Sequence, residues 1–388
     1  MAAVQEGRNV LCVSNTAFNL YNFRLGIMKA LRDNGFAVKA AAPEDRFSEK
    51  LVKHGFHFIP VHCLKRKGTN PVEDLRLLME FRRIYKKEKP ALVLHFTVKP
   101  NIYGTIACRL LGIKSLCSIT GLGYLFMKKG FLNAVAKTLY KTALSYSLQV
   151  AFQNEEDKNI FVRHNLVDEK KTFVTPGSGV DTAFFSPEEG VRVPQHRAGV
   201  IFLLVARMLW DKGVGEFVEA AKVVKARYGN TEFRLLGGID NGNPSGISEP
   251  TIREWEGKDI ITYLGVADDV RSFLSEADVA VLPSYYREGI PKSLLEAMAM
   301  RKPVITTDTP GCRDTVEGGE NGFLVPAKDA HGLARAMMKM VEMGEEKRSA
   351  MGKRGRELVI KKFDEKYVVE AYLTTIRRAL GVERRPDV

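Results

Sequence analysis

The sequence predicts an α/β protein made of two doubly wound parallel-sheet domains that face a cleft. Short apolar runs alternate with amphipathic helical segments along most of the chain, which is typical of parallel sheets covered by helices on both faces. A polar, proline-containing stretch at 181–199 interrupts this alternation near the middle. A chain of 388 residues is also longer than one ordinary hydrophobic core supports, so we expect two domains.

Twelve apolar runs predict the strands of these two sheets. In the first half they lie at 9–14, 36–42, 56–61, 91–96, 115–120 and 148–153. After the linker they lie at 200–205, 233–237, 261–265, 279–284, 303–307 and 323–326. Helical patterns occupy 24–34, 71–88, 131–147, 329–343, 345–360 and 365–380. We therefore expect one domain at 1–185, a second at 186–364 and a final helical segment at 365–388.

Composition indicates a soluble globular protein with an anionic partner. Hydrophobic residues make up 45% of the chain and charged residues 27%, and the formal net charge is +13. Residues 1–190 carry a net charge of +11, and 89–154 contain eight basic residues and no acidic one. Such a surface favours phosphates, nucleic acid or an anionic membrane over a neutral partner.

Targeting signals and cysteine motifs are both missing from the sequence. The first ten residues, MAAVQEGRNV, lack the apolar core of a secretion signal, and no run of 18 apolar residues occurs. The five cysteines form no C-x-x-C pair, which favours reduced thiols. We therefore expect a cytoplasmic protein without a membrane-spanning helix.

Several common ligand motifs can be excluded. The first strand is followed by SNTAFNLYNFR (14–24) rather than G-x-G-x-x-G, which disfavours a nicotinamide dinucleotide. The chain has no P-loop, the ADD at 267–269 is not a D-x-D metal motif, and no His/Cys group has zinc spacing. We expect neither a cofactor nor a metal.

The stretch SYYREGIPKSLLEAMAM (284–300) is the first candidate site. Pro291 suits the first position of a helix, where free N–H groups bind anions. Glu296 follows in the second turn, and helical side chains lean toward the N-terminus, so its carboxylate can reach the same ligand. A carboxylate accepts from two neighbouring hydroxyls, as on a ribose, and Glu288 can accept from further hydroxyls. This set suits a phosphate between two sugars, as in a nucleotide sugar.

The stretch VARMLWDKGV (205–214) is the second candidate site. Arg207 and Lys212 lie where a predicted strand gives way to a helix, and two cations there can neutralise a diphosphate without a metal. A leaving nucleoside diphosphate gains negative charge in the transition state, which these cations and the helix start at 289–292 would stabilise.

These motifs resemble the family 4 retaining glycosyltransferases of GT-B fold. The E-x7-E of Glu288 and Glu296 and the R-x4-K of Arg207 and Lys212 carry the resemblance. The bacterial branch that builds capsule, O-antigen and lipid-linked oligosaccharides is similar in four further stretches. They are FTVKPNIYGTIACRLLG (96–112), ITGLGYLF (119–126), LGGIDNGNPSGIS (236–248) and TPGCRDTVEGGENGFLVP (309–326). The resemblance covers nearly the whole chain and implies two Rossmann-like domains, with the last helix crossing back onto the first.

The resemblance also implies residue roles on the donor side. Arg207 and Lys212 match the diphosphate-binding pair, Glu296 matches the ribose carboxylate, and Glu288 matches the carboxylate that contacts the donor sugar. Arg207, Lys212 and Glu288 are the expected catalytic residues. Residues expected around the donor phosphates, sugar and base are Gly289, Ile290, Pro291, Leu294, Leu264 and Gly265.

Acceptor contacts are expected in the N-terminal half. The candidates are Thr16, Arg24, His95, Lys99 and Asn101. His95 ends a predicted strand and suggests a general base, but a packed or hydrogen-bonded histidine is the alternative interpretation. The implied reaction retains the anomeric configuration, with the leaving phosphate taking the acceptor proton and no metal required. The resemblance to the family implies a UDP-sugar donor. The resemblance to its bacterial branch implies that the sugar is an N-acetylhexosamine and that the acceptor is a polyprenyl-diphosphate-linked glycan.

The segment 128–147 is the expected contact with an anionic membrane. In the helical pattern FLNAVAKTLYKTALSYS (131–147), apolar residues fall on one half and Asn133, Lys137 and Lys141 on the other, after Lys128 and Lys129. The alternative is an ordinary helix packed on its own sheet. We expect a peripheral protein on the inner face of the bacterial cytoplasmic membrane.

Other functions remain as alternatives. A glycosyltransferase with a soluble acceptor or a sugar-nucleotide 2-epimerase would use a similar cleft. A nucleic-acid-binding protein fits the charge, but the sequence lacks a recognised module and stacking aromatics on a basic face, so we expect no nucleic acid. A glycosidase would need two carboxylates flanking one bond, whereas Glu288 and Glu296 share one side with cations.

Overall fold

The computed structural model of the chain describes residues 7–65, 68, 70–121, 131–187 and 199–382. They belong to two units, one running to Ser178 and resuming at Glu365, the other spanning Gly179–Asp364. Each unit has its own parallel sheet, so the predicted α/β class with doubly wound parallel sheets is confirmed. No described helix combines the length and the hydropathy that crossing a membrane requires.

The first unit contains a seven-stranded sheet in the order β3-β2-β1-β4-β5-β6-β7. Its strands are β1 Asn9–Val13, β2 Ala37–Ala42, β3 His57–Pro60, β4 Leu92–Phe96, β5 Lys114–Ile119, β6 Gln149–Phe152 and β7 Thr172–Val174. Its helices are α1 Ala17–Asp33, α2 Ser48–Lys53, α3 Pro71–Glu88, α4 Thr105–Leu111, α5 Phe131–Tyr146 and α6 Glu155–Arg163, with a π-helix at Pro100–Gly104. Strand β7 was not predicted, because its three residues are only partly buried.

The second unit contains a six-stranded sheet in the order β10-β9-β8-β11-β12-β13. Its strands are β8 Ile201–Val205, β9 Glu232–Leu236, β10 Thr262–Tyr263, β11 Val279–Leu282, β12 Val304–Thr307 and β13 Gly322–Val325. Its helices are α7 Val214–Arg227, α8 Glu249–Gly257, α9 Arg271–Glu276, α10 Lys292–Ala299, α11 Ala330–Glu342 and α12 Gly344–Lys362.

The last helix, α13 Glu365–Leu380, belongs to the first unit. Val368, Tyr372 and Ile376 are buried in one core cluster with residues of α1 and of the sheet. The Tyr372 hydroxyl also bonds to Ser118 Oγ on β5 at 2.6 Å. The chain therefore returns to its first unit after completing the second.

In each sheet the strand order reverses direction once. The chain proceeds outward from β1 through β2 and β3, and then in the opposite direction from β4; β8 and β11 form the equivalent pair in the second unit. Ligands of open parallel sheets bind beside the carboxyl ends of the strands at such a switch point. We therefore expect ligands to bind beside the loops after β1, β4, β8 and β11.

Candidate active site

The loop that leaves β8 carries both predicted diphosphate-binding cations. After Val205, residues 206–209 lead into a 3₁₀ turn at Trp210–Lys212 and then into α7. Gly213 connects the turn to the helix with a φ of +76°, and a Cβ there would lie 2.1 Å from the Pro283 carbonyl oxygen. Glycine is therefore required both by the backbone conformation and by the close approach of the loop after β11.

The loop after β11 is attached to this turn through one carbonyl group. The Asp211 carbonyl oxygen accepts from the backbone N–H groups of Tyr285 and Tyr286, at 3.0 Å each, and from Ser284 Oγ at 3.2 Å. These bonds fix the segment that carries Glu288 against the segment that carries Lys212. Two stretches 76 residues apart in sequence thus form one site.

Lys212 and Glu288 form an ion pair inside this site. Lys212 Nζ donates to Glu288 Oε1, and Ser284 Oγ donates to the same oxygen at 3.0 Å. Their side chains are only 17% and 12% exposed, so water screens the pair weakly. In this state the predicted diphosphate-binding ammonium is neutralised by the predicted sugar-binding carboxylate.

Arg207 also has a carboxylate partner. Its Nη1 donates to Asp240 Oδ2 at 2.8 Å, and the arginine side chain remains 45% exposed. Asp240 lies in the loop 237–248, whose backbone is bonded to the β8 loop: Met208 N–H donates to Gly238 O at 2.9 Å and Trp210 N–H to Ser245 O at 2.8 Å. Sequence reasoning missed the role of Asp240, although the GGIDNGNPSG stretch contributed to the resemblance.

The predicted helix after Glu288 begins one residue later than expected. Pro291 is the N-cap of α10, with an extended ψ of 113°, rather than its first helical residue. Ile290, Leu294 and Leu264 contact the same core cluster, so the loop after β10 packs beside the start of this helix. Gly265 adopts a φ of +73°, and its carbonyl accepts from Gly237 N–H at 2.7 Å.

Glu296 lies in the second turn of α10, as predicted, and is partly buried. Burial raises the pKa of its carboxyl group to about 7; Lys292 lowers this pKa and Asp269 raises it. Asp269 belongs to the loop after β10, which is the loop expected to hold the nucleotide base. A carboxyl group with such a pKa changes its charge near neutral pH.

A fifth loop, after β12, completes the cluster. Gly311 has a φ of +80°, and a Cβ there would lie 1.8 Å from the Gly289 carbonyl oxygen. Thr309 Oγ1 donates to the Ser284 carbonyl at 3.3 Å, and Thr307 Oγ1 bonds to the same carbonyl. The TPG stretch (309–311) therefore supports the loop that carries Glu288, a role that the sequence alone did not indicate.

Two of the five predicted acceptor residues are enclosed and hydrogen-bonded. His95 has no exposed surface; its Nε2 lies 2.9 Å from the Tyr85 hydroxyl and its Nδ1 lies 3.2 Å from Thr105 Oγ1. Burial lowers the pKa of His95 to about 3, so the ring is neutral. Asn101 is also buried, and its side chain bonds to the backbone of Ser118. The burial of His95 agrees with the alternative interpretation of a packed, hydrogen-bonded histidine, and acceptor contact at these two residues stays a prediction.

The other three predicted acceptor residues lie at different positions in the first unit. Thr16 caps α1 by accepting from Asn19 N–H at 3.0 Å. Lys99 pairs with Asp74 at 2.8 Å. Arg24 is only 2% exposed and lies over the Phe96 ring.

Among the residues with described positions, no group of three or more His, Cys, Asp or Glu side chains is placed to hold a metal ion.

Family models match both halves of the chain. The model described as "Glycosyl transferase 4-like" matches residues 9–154, and the model described as "Glycosyl transferases group 1" matches residues 199–343. The second match contains all five loops of the candidate site.

Individual relatives are similar over most of the chain. N,N'-diacetylbacillosaminyl-diphospho-undecaprenol alpha-1,3-N-acetylgalactosaminyltransferase of Campylobacter jejuni is 28% identical over 95% of this chain and 98% of its own length. UDP-Gal:alpha-D-GlcNAc-diphosphoundecaprenol alpha-1,3-galactosyltransferase of Escherichia coli is 27% identical over 74% of each chain. The crystal structure of Anabaena Alr3699/HepE in complex with UDP-glucose has a TM-score of 0.77, 16% identity, and coverage of 95% of this chain and 99% of that one. At 16% identity, the similarity to the Anabaena structure shows the fold alone.

Proposed function

This chain belongs to the group 1 glycosyltransferases, and on that premise we propose that it is a retaining hexosyltransferase. The proposed reaction moves a sugar from a UDP-sugar to a polyprenyl-diphosphate-linked glycan during cell-surface polysaccharide or glycoprotein glycan assembly. The observation that carries the proposal is the contact of Lys212 with Glu288, which joins the β8 loop that carries Arg207 to the β11 loop. Helix α10 with Glu296 follows the β11 loop in the same unit. The names of the C. jejuni and E. coli relatives support the donor and acceptor classes.

The donor is proposed to bind across these loops. Its diphosphate would lie against Lys212 and Arg207, with the ribose hydroxyls donating to Glu296 and the base beside Leu264 and Gly265. Because Lys212 pairs with Glu288, a diphosphate that binds this ammonium would compete with that carboxylate. Glu288 is proposed to accept hydrogen bonds from the sugar.

Transfer is proposed to proceed with retention at the anomeric carbon. The acceptor hydroxyl attacks from the face that the diphosphate leaves, the bond from the anomeric carbon to the phosphate oxygen breaks, and that oxygen takes the acceptor proton. Arg207 and Lys212 stabilise the negative charge that develops on the leaving group. The donor sugar is proposed to be an N-acetylhexosamine, in line with the C. jejuni relative.

Membrane contact is proposed for the first unit, on the inner face of the cytoplasmic membrane. Part of the predicted contact at 128–147, including Lys128 and Lys129, lies outside the described residues. On α5, Tyr140, Ala143 and Leu144 are buried in a core cluster, and Val135 is exposed. Part of the apolar half of this helix therefore packs in the core of its own unit, which agrees with the alternative interpretation of an ordinary helix.

Helix α3 offers a second surface for this contact. Val72, Leu75 and Met79 each expose more than half of their surface at a spacing of three and four residues. Five exposed cations share that outer face of α3. They are Arg76, Arg82, Arg83, Lys86 and Lys87. An exposed apolar stripe flanked by cations is typical of a helix that lies on anionic lipid.

A donor screen tests the proposed function. Purified protein is given single UDP-sugars, with or without polyprenyl-diphosphate-linked glycan, and UDP release is measured with EDTA present. The expected result is lipid-dependent turnover of one UDP-sugar, lost in Lys212→Ala and kept in Lys222→Ala, an exposed lysine of α7.

Other outcomes contradict parts of the proposal. Turnover that needs no lipid would favour the alternative, a glycosyltransferase with a soluble acceptor. Loss of turnover in EDTA would contradict the neutralisation of the diphosphate by Arg207 and Lys212 alone.

A further inference from the structure

The carboxyl ends of β1 and β4 form the switch point of the first unit. The two strands are adjacent and parallel, with Val13 paired to His95, and helices α1 and α4 pack on opposite faces of the sheet. A crevice at this position is where open parallel sheets bind ligands. Two side chains at this end of the sheet have polar groups that no described residue satisfies.

Arg24 is the first of these side chains. Its guanidinium carbon lies 4.6 Å from the centre of the Phe96 ring, above the last residue of β4, and the residue is 2% exposed. Its buried Nε has no hydrogen-bond partner among the described residues. Buried charges in folded proteins are almost always paired, because removing an ion from water costs several kcal/mol.

Among the residues with described positions, no anion near Arg24 compensates for this burial. The titratable groups that influence it are Tyr372 and Cys12. Burial raises the pKa of Cys12 to about 12 and also raises the pKa of Tyr372, so both are neutral at physiological pH. Burial lowers the pKa of Arg24 itself. The structure therefore holds a cation at the carboxyl end of β4 without a counter-ion from the described residues.

Thr97 is the second side chain, and it follows Phe96 directly. Its backbone has a φ of +75°, a left-handed conformation that is a genuine outlier for a β-branched residue. Its enclosed hydroxyl has no hydrogen-bond partner among the described residues. Such strain persists only where surrounding structure imposes it, and it clusters at functional sites.

The segment after Thr97 supplies that surrounding structure. Asn101 N–H donates to the Thr97 carbonyl at 3.0 Å, and the Asn101 side chain is itself bonded to Ser118 on β5. A π-helix then covers Pro100–Gly104, a conformation that is rare and often found at functional sites. The buried Asn101 thus holds the strained Thr97 in place from within the fold.

We propose that Arg24 and Thr97 form a phosphate-binding site at this switch point, and that its ligand is the diphosphate of the lipid-linked acceptor. A guanidinium matches phosphate oxygens in geometry as well as in charge, and the threonine hydroxyl can donate to a neighbouring oxygen. The choice of ligand rests on the proposed function. The unpaired charge and the unused hydroxyl do not depend on it.

The test uses Arg24→Met, which keeps a long side chain and removes the charge. If the site exists for a ligand, the variant should melt at the same temperature as the wild type or higher, since an uncompensated buried charge has been removed. Its KM for a polyprenyl-diphosphate-linked acceptor should rise about tenfold or more, because charge-assisted hydrogen bonds to phosphate are lost. Its KM for the UDP-sugar should not change.

Two further variants complete the comparison. Thr97→Val keeps the β-branched shape and removes the hydroxyl, so it should raise the acceptor KM by a smaller factor without lowering the melting temperature. Arg356→Met is the control for a structural arginine, because Arg356 donates to the carbonyls of Thr182, Phe185 and Ala299. It should lower the melting temperature and leave the acceptor KM unchanged.

Three results would overturn the proposal. One is an Arg24→Met variant that fails to fold or melts well below the wild type, since the arginine would then be structural. Another is a wild-type acceptor KM in that variant. The third is a rise in the donor KM alone, which would assign the phosphate to the UDP-sugar.

A binding measurement separates this site from the proposed function. Inorganic pyrophosphate should raise the melting temperature of the wild type more than that of Arg24→Met, with no donor present. If the wild type transfers no sugar to a lipid-linked acceptor but shows this difference, the reaction is wrong and the site stands. Transfer by the wild type combined with unchanged acceptor kinetics in Arg24→Met would refute the site alone.

Discussion

Glu296 is a partly buried carboxyl group in the second turn of α10, and burial raises its pKa to about 7. Ribose hydroxyls donate hydrogen bonds to the ionised form, so the donor should bind that form preferentially. The affinity for a UDP-sugar should therefore increase as the pH rises from about 6 to about 7 and level off above about 8. Calorimetric titration of the donor at several pH values measures this.

Glu296→Gln is the matched control for this pH dependence. It keeps the size of the side chain and cannot ionise, so its donor affinity should be weaker and nearly constant over the same range. A wild-type affinity that does not change with pH, or that changes equally in the variant, would contradict the assignment of Glu296 to the ribose.

Individual residues were predictable from sequence where a motif fixes both type and spacing. The R-x4-K and E-x7-E motifs predicted Arg207, Lys212, Glu288 and Glu296 as site residues, and the structure brings Lys212 and Glu288 into contact. The roles of the four residues stay predictions. The partner of Arg207 was not predictable, because Asp240 is 33 residues away and reaches it only through the fold. His95 was ambiguous for the same reason: its buried partners come from α3 and α4.

The β8 and β11 loops are coupled elements, joined by the Asp211 carbonyl and by the Lys212–Glu288 pair. Lys212→Met should lower the free energy of unfolding by about 1–3 kcal/mol, because Glu288 remains buried after losing this cation. The double variant Lys212→Met/Glu288→Gln should recover most of that loss. Denaturant unfolding of the two variants measures the difference; equal or greater destabilisation of the double variant would contradict the coupling.

Helix α3 gives a prediction about membrane contact. Leu75→Ser with Met79→Ser removes two exposed apolar side chains and keeps every cation of the helix. Binding to vesicles of phosphatidylglycerol and phosphatidylcholine should fall about tenfold or more, since each buried side chain contributes up to about 1.5–3 kcal/mol. Sedimentation with the vesicles measures the bound fraction.

Val223→Ser provides the control, because Val223 is an exposed apolar residue on α7 of the second unit. It should leave vesicle binding unchanged. If the α3 pair binds vesicles as the wild type does, the contact lies elsewhere in the first unit and the proposal for α3 is wrong.

Strands and helices were predictable where the apolar residues follow a single pattern. The continuous apolar runs located the twelve predicted strands because both faces of these sheets are covered. Helix α1 begins at Ala17 rather than at 24, because the Thr16 cap and the buried Ala17 and Leu20 extend it toward β1. The start of α10 was displaced by one residue because Pro291 adopts an extended ψ, which its fixed φ does not determine.

At the level of the whole molecule, composition predicted more than motifs did. Length and the lapse at 181–199 indicated two α/β domains, and the chain forms two units with a break at Ser178. The excess of basic residues in the first half indicated an anionic partner. The sequence could not predict which of these cations are exposed, as on α3, and which are buried, as Arg24 is.

The central claim is retaining transfer of a sugar from a UDP-sugar to a polyprenyl-diphosphate-linked glycan. The most direct test incubates the purified protein with the selected UDP-sugar and the lipid-linked acceptor, releases the product glycan from its lipid, and determines the new linkage by NMR. Because UDP-hexoses of this kind carry an α-linked sugar, the account predicts an α linkage on the acceptor glycan. A β linkage, or a product that never appears on the lipid-linked glycan, would contradict it.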